Sequence, residues 1–410
     1  MHYIHRSYEA LIREMMAELP ALLLVGPRAT GKTTTAARFA ASLVRLDRER
    51  EAAAFRADPD AALEGLTEPI LLDEWQAVPE VLGAVKRAVD VRPEPNRFVL
   101  TGSVRGDLDA ETWPGTGRLV RLRFWGLSVR ELRAGGENFV PLLDRLSEGG
   151  AIADPVEAPD LLDYVEMAAT GGFPQVAASR SSRARELWLE SYIDQLVTRD
   201  AASIEMGRDP ERLRRYFEGY ALNSAGVAAE KTLLETAQVS RKAAEAYEQL
   251  LKNLFVVESI PAWTSNRLQR LIKAPKRYVV DPALLVALLR LEPRAILRDG
   301  NLLGRLLETF VVAQLRAELD LCRCRPRLYH LRDANGRHEV DLLCEMGGGR
   351  VIGIEIKATA APRLEDCRHL VWMSEALGDR FVRGVVIHTG PRSFALSDQV
   401  LALPIASIWS

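Results

Sequence analysis

The chain has 410 residues, 48% of them hydrophobic, with 54 lysines and arginines against 56 aspartates and glutamates, a formal net charge of -2. That length calls for two or three domains, and the near balance of charge excludes wholesale coating of nucleic acid, leaving local patches for any contact with DNA or RNA. Arg6, Glu9, Arg13 and Glu14 interrupt the start where a leader's apolar core would lie, no apolar run approaches a membrane span, and a cytoplasmic protein is expected.

In chain order, Ala21 to Val25 predicts a short buried strand and Thr34 to Ser42 the opening of a helix. Between them Gly26, Pro27, Arg28, Ala29, Thr30, Gly31, Lys32 and Thr33 satisfy G-x-x-x-x-G-K-[ST], with Thr34 next in line. The N–H groups of such a loop cradle phosphates, Lys32 would reach the β and γ oxygens, and the Thr33 hydroxyl would complete a magnesium shell. The pattern predicts a nucleotide site. Glu68 to Glu74 predicts an apolar strand ending in two carboxylates. After a phosphate loop, Asp73 is expected to hold the magnesium and Glu74 to polarise the attacking water. Arg97 to Ser103 predicts another strand, whose Thr101 and Ser103 could sense the γ-phosphate, orient the water, or only close a Thr-Gly-Ser turn.

Asp73-Glu-Trp-Gln76, the run from Val78 to Leu82, Val85 to Asp90, Phe98 to Ser103, Gly117-Arg118, Leu127-Ser128 with Glu131, and Gly171 to Pro174 resemble the AAA+ type ATPases of bacteria and archaea that carry a C-terminal domain of uncharacterised function. The resemblance covers nearly the whole chain. It implies ATP binding by an α/β P-loop core on a parallel sheet, then a helical region with a winged-helix-like segment and a terminal domain similar to restriction endonucleases. The family's sensor asparagine is replaced here by Thr101 or Ser103. Arg118 could act as an arginine finger between copies of a homo-oligomer, or be a surface arginine.

Ala134 to Pro159 turns Gly- and acid-rich, so the expected divisions are 1–133 for the ATPase core, 134–160 for an exposed connection, 161–298 for the helical region and 299–410 for the terminal domain. Glu230 to Ala237, a turn through Ser240, and Arg241 to Asn253 predict a helix-turn-helix, with Phe255 to Ile260 as a wing strand. From Ser259 to Val280 there is no acid, while Arg267, Arg270, Lys273, Lys276 and Arg277 gather beside Trp263 and Tyr278. Such a tract could follow a phosphate backbone, or dock on acids of the same protein.

His338 to Cys344 and Arg350 to Lys357 predict a hairpin about Gly347-Gly348-Gly349. A turn centred on Gly348 sets Asp341 opposite Glu355. Alternation then puts Glu339, Asp341, Glu355 and Lys357 on one face and Val340, Leu342, Ile354 and Ile356 on the other. Facing carboxylates call for a cation, and a divalent metal is the economical choice. The D-x(n)-E-x-K arrangement resembles the PD-(D/E)xK nuclease fold, in which a glutamate on the preceding helix completes the site. Glu308 holds the matching place. The resemblance implies metal binding by Glu308, Asp341 and Glu355, with Lys357 steadying the attacking hydroxide or the phosphate. Cys322, Cys324, Cys344 and Cys367 form no paired C-x-x-C sets and are expected as reduced, structural thiols.

Overall fold

The computed structural model describes residues 3–103, 117–133, 139–150, 152–200, 209–227, 230–264, 274–332 and 337–410. The chain falls into two compact units, one of Met1–Leu127, Phe173–Gln175 and Leu251–Val256, the other of Ser128–Gly172, Val176–Leu250 and Val257–Ser410.

In the first unit α1 (Tyr8–Glu18) leads to β1 (Ala21–Val25), α2 (Lys32–Ala36), β2 (Ser42–Arg45), β3 (Ile70–Asp73), α3 (Val81–Val91), β4 (Phe98–Gly102) and β5 (Leu119–Arg123). The strands lie in the order β2-β3-β4-β1-β5, and every pairing is parallel. The inner strands β1, β3 and β4 are buried residue by residue, as the apolar runs of a sheet covered on both faces must be. The helix expected from Thr34 to Ser42 is shorter: α2 stops at Ala36, a 3-10 turn takes Ala37–Phe39, and Ser42 already belongs to β2. Successive threonines at 33, 34 and 35 are poor helix formers, and Ser42–Arg45 instead completes the sheet edge beside β3.

In the second unit the stretch expected as an exposed connection contains α4 (Leu142–Ser147), whose Leu142, Leu143 and Leu146 are buried. Its apolar residues sit at helical spacing, which outweighs the glycines around them. Helices α5 (Leu161–Thr170), α6 (Ser182–Gln195) and α7 (Pro210–Leu222) follow. Next come α8 (Glu230–Ala237) and α9 (Arg241–Asn253), where Ser240 Oγ accepts from Ala243 N at 3.3 Å. β6 (Val257–Ile260) pairs antiparallel with β7 (Lys276–Val279), and α10 (Pro282–Leu288) and α11 (Gly300–Glu318) lead to the last sheet.

That sheet contains β8 (Arg327–Arg332), β9 (Glu339–Glu345), β10 (Val351–Lys357), then, after α12 (Arg368–Leu377), β11 (Phe381–His388), β12 (Phe394–Ser397) and β13 (Val400–Pro404). The strand order is β12-β13-β11-β10-β9-β8. β8, β9 and β10 form an antiparallel meander, and β11 returns parallel to β10. Glu345 faces Val351 and Leu342 faces Ile354, a register centred on Gly348, which adopts φ 72. Leu343 and Glu355, on the face of Asp341, are buried, as are Val340, Leu342, Cys344, Ile352 and Ile354 on the other face. α12 covers this part of the sheet so closely that a Cβ on Gly353 would stand 2.7 Å from Leu370.

At Gly26 it is backbone that crowds: a Cβ there would lie 1.9 Å from the Phe124 carbonyl oxygen. Gly26→Ala is therefore expected to destabilise the first unit by about 3 kcal/mol, read as a lower urea midpoint, and an unchanged midpoint would contradict the close approach.

Candidate functional site

The start of α2 and the ends of β3 and β4 meet at one carboxylate. Asp73, at the end of β3, accepts through Oδ1 from Thr33 Oγ1 at 2.6 Å and from Thr101 Oγ1. Gly31 adopts φ 90, which glycine reaches without strain, and Thr30 Oγ1 donates to Pro27 O at 2.9 Å to close the loop. Lys32 Nζ donates to Gly26 O at 3.0 Å and Pro27 O at 2.7 Å. Burial pushes its ammonium down to about 8, against the pull of Glu74 and Asp73.

Glu74 takes a left-handed backbone, φ 55, which costs a non-glycine residue about 1 kcal/mol. Its Oε2 accepts from Ser103 Oγ at 3.2 Å and from Gln76 Nε2, and Ser103 Oγ accepts from Arg28 Nε at 3.3 Å. Thr33, Asp73 and Thr101 thus form one contact group and Arg28, Ser103, Glu74 and Gln76 another, while Lys32 holds the carbonyls of Gly26 and Pro27. Ala29 and Thr34 face solvent. Arg118 is engaged elsewhere, its Nε donating to Asp90 Oδ1 at 2.8 Å on the surface. The hydroxyl and carboxylate in contact beside a buried lysine form a hard-oxygen donor set that fits a magnesium nucleotide.

Arg6 carries no motif, yet it braces the loop. Its Nη1 donates to Thr30 O and its Nη2 to Trp125 O, both at 2.8 Å, and its guanidinium lies 4.1 Å from the Phe124 ring centre.

The second unit assembles a different acidic cluster. Lys276 Nζ stands 2.5 Å from Glu308 Oε1 and 3.1 Å from Asp341 Oδ1, and Tyr278 OH donates to Glu308 Oε1 at 2.6 Å. Asp341 Oδ2 accepts from Ile356 N at 2.9 Å, and Lys357 Nζ donates to Glu355 Oε2 at 2.8 Å. Burial raises Glu308 to about 7 despite Lys276, and burial together with the Asp341 charge raises Glu355 to about 8. Burial also opposes ionised Asp341, but Lys276, Lys357 and the Ile356 N–H outweigh it and hold that carboxyl below its usual range. The same carboxylates keep Lys276 protonated against its burial.

The acid-free tract therefore divides. Arg267, Arg270 and Lys273 lie outside the described residues, whereas Lys276 and Arg277 are buried and docked on acids of their own unit, Arg277 against Glu248 at 3.6 Å. Trp263 and Tyr278 are buried as well, so these four residues cannot line an exposed phosphate track.

Among the described residues, the set of metal-capable groups lying mutually within 4.8 Å is Asp144, Cys322 and Cys324, not the Glu308, Asp341 and Glu355 expected as ligands. Asp144 already accepts from Arg323 N and Cys324 N at 2.9 Å, and Cys322 Sγ donates to Glu318 O at 3.3 Å. Those contacts account for the thiol set as the closure of a loop.

An AAA domain model matches residues 18–133. The proteins named Uncharacterized protein Rv2008c of Mycobacterium tuberculosis and Uncharacterized protein Mb2031c of Mycobacterium bovis are each 30% identical over 410 residues, covering 98% of this chain and 84% of each relative. The chain belongs to the family of these mycobacterial proteins. It is an AAA-type P-loop ATPase. Two further models, both domains of unknown function, DUF8612 and DUF4143, match residues 161–295 and 303–408 of this ATPase. A Walker-type ATPase of Pyrococcus abyssi aligns at 14% identity with a TM-score of 0.42, over 70% of this chain and 96% of that one. No helix among the ATPase's described residues is long and apolar enough to cross a membrane.

The raised carboxyls predict a pH dependence. Glu308 and Glu355 ionise near 4.5 when unperturbed but only near 7 and 8 in the fold. The fold is favoured where they keep their protons, so stability should fall by a few kcal/mol between about pH 4.5 and 8. Urea unfolding across that range checks this. Glu355→Gln should flatten the slope, and a parent whose stability rises over this window would contradict the assignment.

Proposed function

We propose that this ATPase hydrolyses ATP with Thr33 and Asp73 holding magnesium, Lys32 on the β- and γ-phosphates and Glu74 polarising the attacking water. The reading is carried by the contact of Thr33 and Thr101 with the same Asp73 oxygen, which ties the phosphate loop to two strand ends. Bound magnesium would offset the charge of the phosphates. Glu74, gripped by Gln76 and Ser103, is positioned by donors that can follow a change at the γ-phosphate. Thr101 or Ser103 stands where the resemblance to AAA+ type ATPases implies a sensor asparagine.

For the C-terminal domain we infer a nuclease-like fold used to bind nucleic acid or another partner, without cutting it. Helix α11 ahead of the β9–β10 hairpin agrees with the preceding helix and hairpin that the D-x(n)-E-x-K resemblance implies, which supports this reading. Helices α8 and α9 with the β6–β7 pair support a winged-helix-like segment before it. Binding is favoured over cleavage by Lys276, whose ammonium lies against two of the three carboxylates that cleavage would give to a metal.

ATP turnover and magnesium-dependent cleavage of branched, single-stranded and duplex DNA and of RNA, each with and without ATP, test both halves. ATP hydrolysis without cleavage is expected; cleavage lost in Asp341→Asn would overturn the binding role. Lys32→Ala should lose ATP binding. Glu74→Gln should keep binding but turn over about a hundredfold or more slower, and a Glu74→Gln protein at the parent rate would remove Glu74 from the chemistry.

A further inference from the structure

Strand β7 is tied to helix α11 at alternate positions. Lys276 reaches Glu308 and, two residues on, Tyr278 OH donates to the same Glu308 oxygen at 2.6 Å; just past the strand, the Val280 backbone O accepts from Arg316 Nη1 at 3.0 Å. A period of two is that of one strand face, so docking this face on α11 delivers the Lys276 side chain to a defined place. That place lies between the carboxylate of a helix and the carboxylate of β9, and only 3% of Lys276 is exposed.

A divalent ion bridging Glu308 and Asp341 would need oxygens at about 2.0–2.6 Å from one point, the space the ammonium nitrogen now holds. Two cations cannot share so small a buried volume, because their repulsion is weakly screened there. Lys357 is spent on Glu355, whose Oε1 is buried without a hydrogen-bond partner, so the cluster is closed by its own chain except at that oxygen.

We propose that the Lys276 ammonium is the resident cation of this cluster, that it excludes divalent metal while β7 is seated on α11, and that removing the amine opens a divalent-metal site on Glu308 and Asp341. The inference rests on the binding-module reading and gives its physical cause. A tethered amine has a local concentration that a free ion at millimolar levels does not match.

The test is Mn2+ binding to the full chain without nucleotide, followed by electron paramagnetic resonance, with Asp341→Asn to locate the ion. The parent should hold no Mn2+ that Asp341→Asn removes. Lys276→Met should gain such an ion, at least about tenfold tighter than any parent binding there, and lose it in Lys276→Met/Asp341→Asn. Lys276→Met should also melt below the parent and recover with Mn2+, whereas the parent melting temperature stays unmoved. If the single variant does not fold, Lys276→Ser, which leaves a hydroxyl for the carboxylates, should bind the ion through Glu308 and Asp341.

A folded variant of either kind that gains no ion overturns the proposal. So does a parent that holds Mn2+ through Asp341. If that parent still cuts no nucleic acid, the binding-module reading survives; if it cuts and Asp341→Asn stops it, both fall.

Discussion

A carboxylate taken out of water must be met by hydrogen-bond donors or by positive charge, and each unit of this ATPase is organised around one answer to that requirement. Asp73 is met by neutral hydroxyls from Thr33 and Thr101. Hydroxyls stabilise the charge without cancelling it, so the carboxylate keeps its attraction for a metal. Asp341 and Glu308 are met by the Lys276 ammonium, which cancels charge and occupies the space between them. The same residue type thus stands ready for a cation in one unit and is supplied with one in the other.

The remaining architecture follows from holding those partners in place. A parallel sheet brings the ends of β1, β3 and β4 together, which is why a loop residue, an acid and a threonine distant in sequence meet. Gly26 allows the phosphate loop to pass the Phe124 carbonyl, and Arg6 fixes the loop's far side through Thr30 O. In the second unit the β6–β7 pair must lie along α11 for Lys276 and Tyr278 to reach Glu308. Removing the amine would leave buried carboxylates with hydrogen bonds but little counter-charge, a costlier loss than removing an exposed ion pair such as Arg118 with Asp90.

Local geometry was legible in the sequence wherever backbone constraints impose residue types. Gly31 at φ 90 and the Gly348 turn at φ 72 are such positions, and the loop and the hairpin register were readable from them. Long-range docking was readable only as an alternative for the acid-free tract, without its partners. Nothing in the run from Ser259 to Val280 reveals that its lysine at 276 meets acids at 308 and 341, because that depends on a strand packing on a helix. Composition also misled at α4, where glycines and acids flank a buried leucine cluster, and at α2, where a helix gives way to an edge strand. Arg6 escapes any motif because its partners are backbone carbonyls, which leave no mark in side-chain spacing.

Two carboxylate centres with different cations make a claim that diffraction can test directly. Crystals of the full chain grown with Mn2+ and a non-hydrolysable ATP analogue would show each bound ion by its anomalous scattering. The account predicts a manganese peak beside Thr33 and Asp73 and none between Glu308 and Asp341. A peak at Glu308 and Asp341 with Lys276 turned away would contradict it.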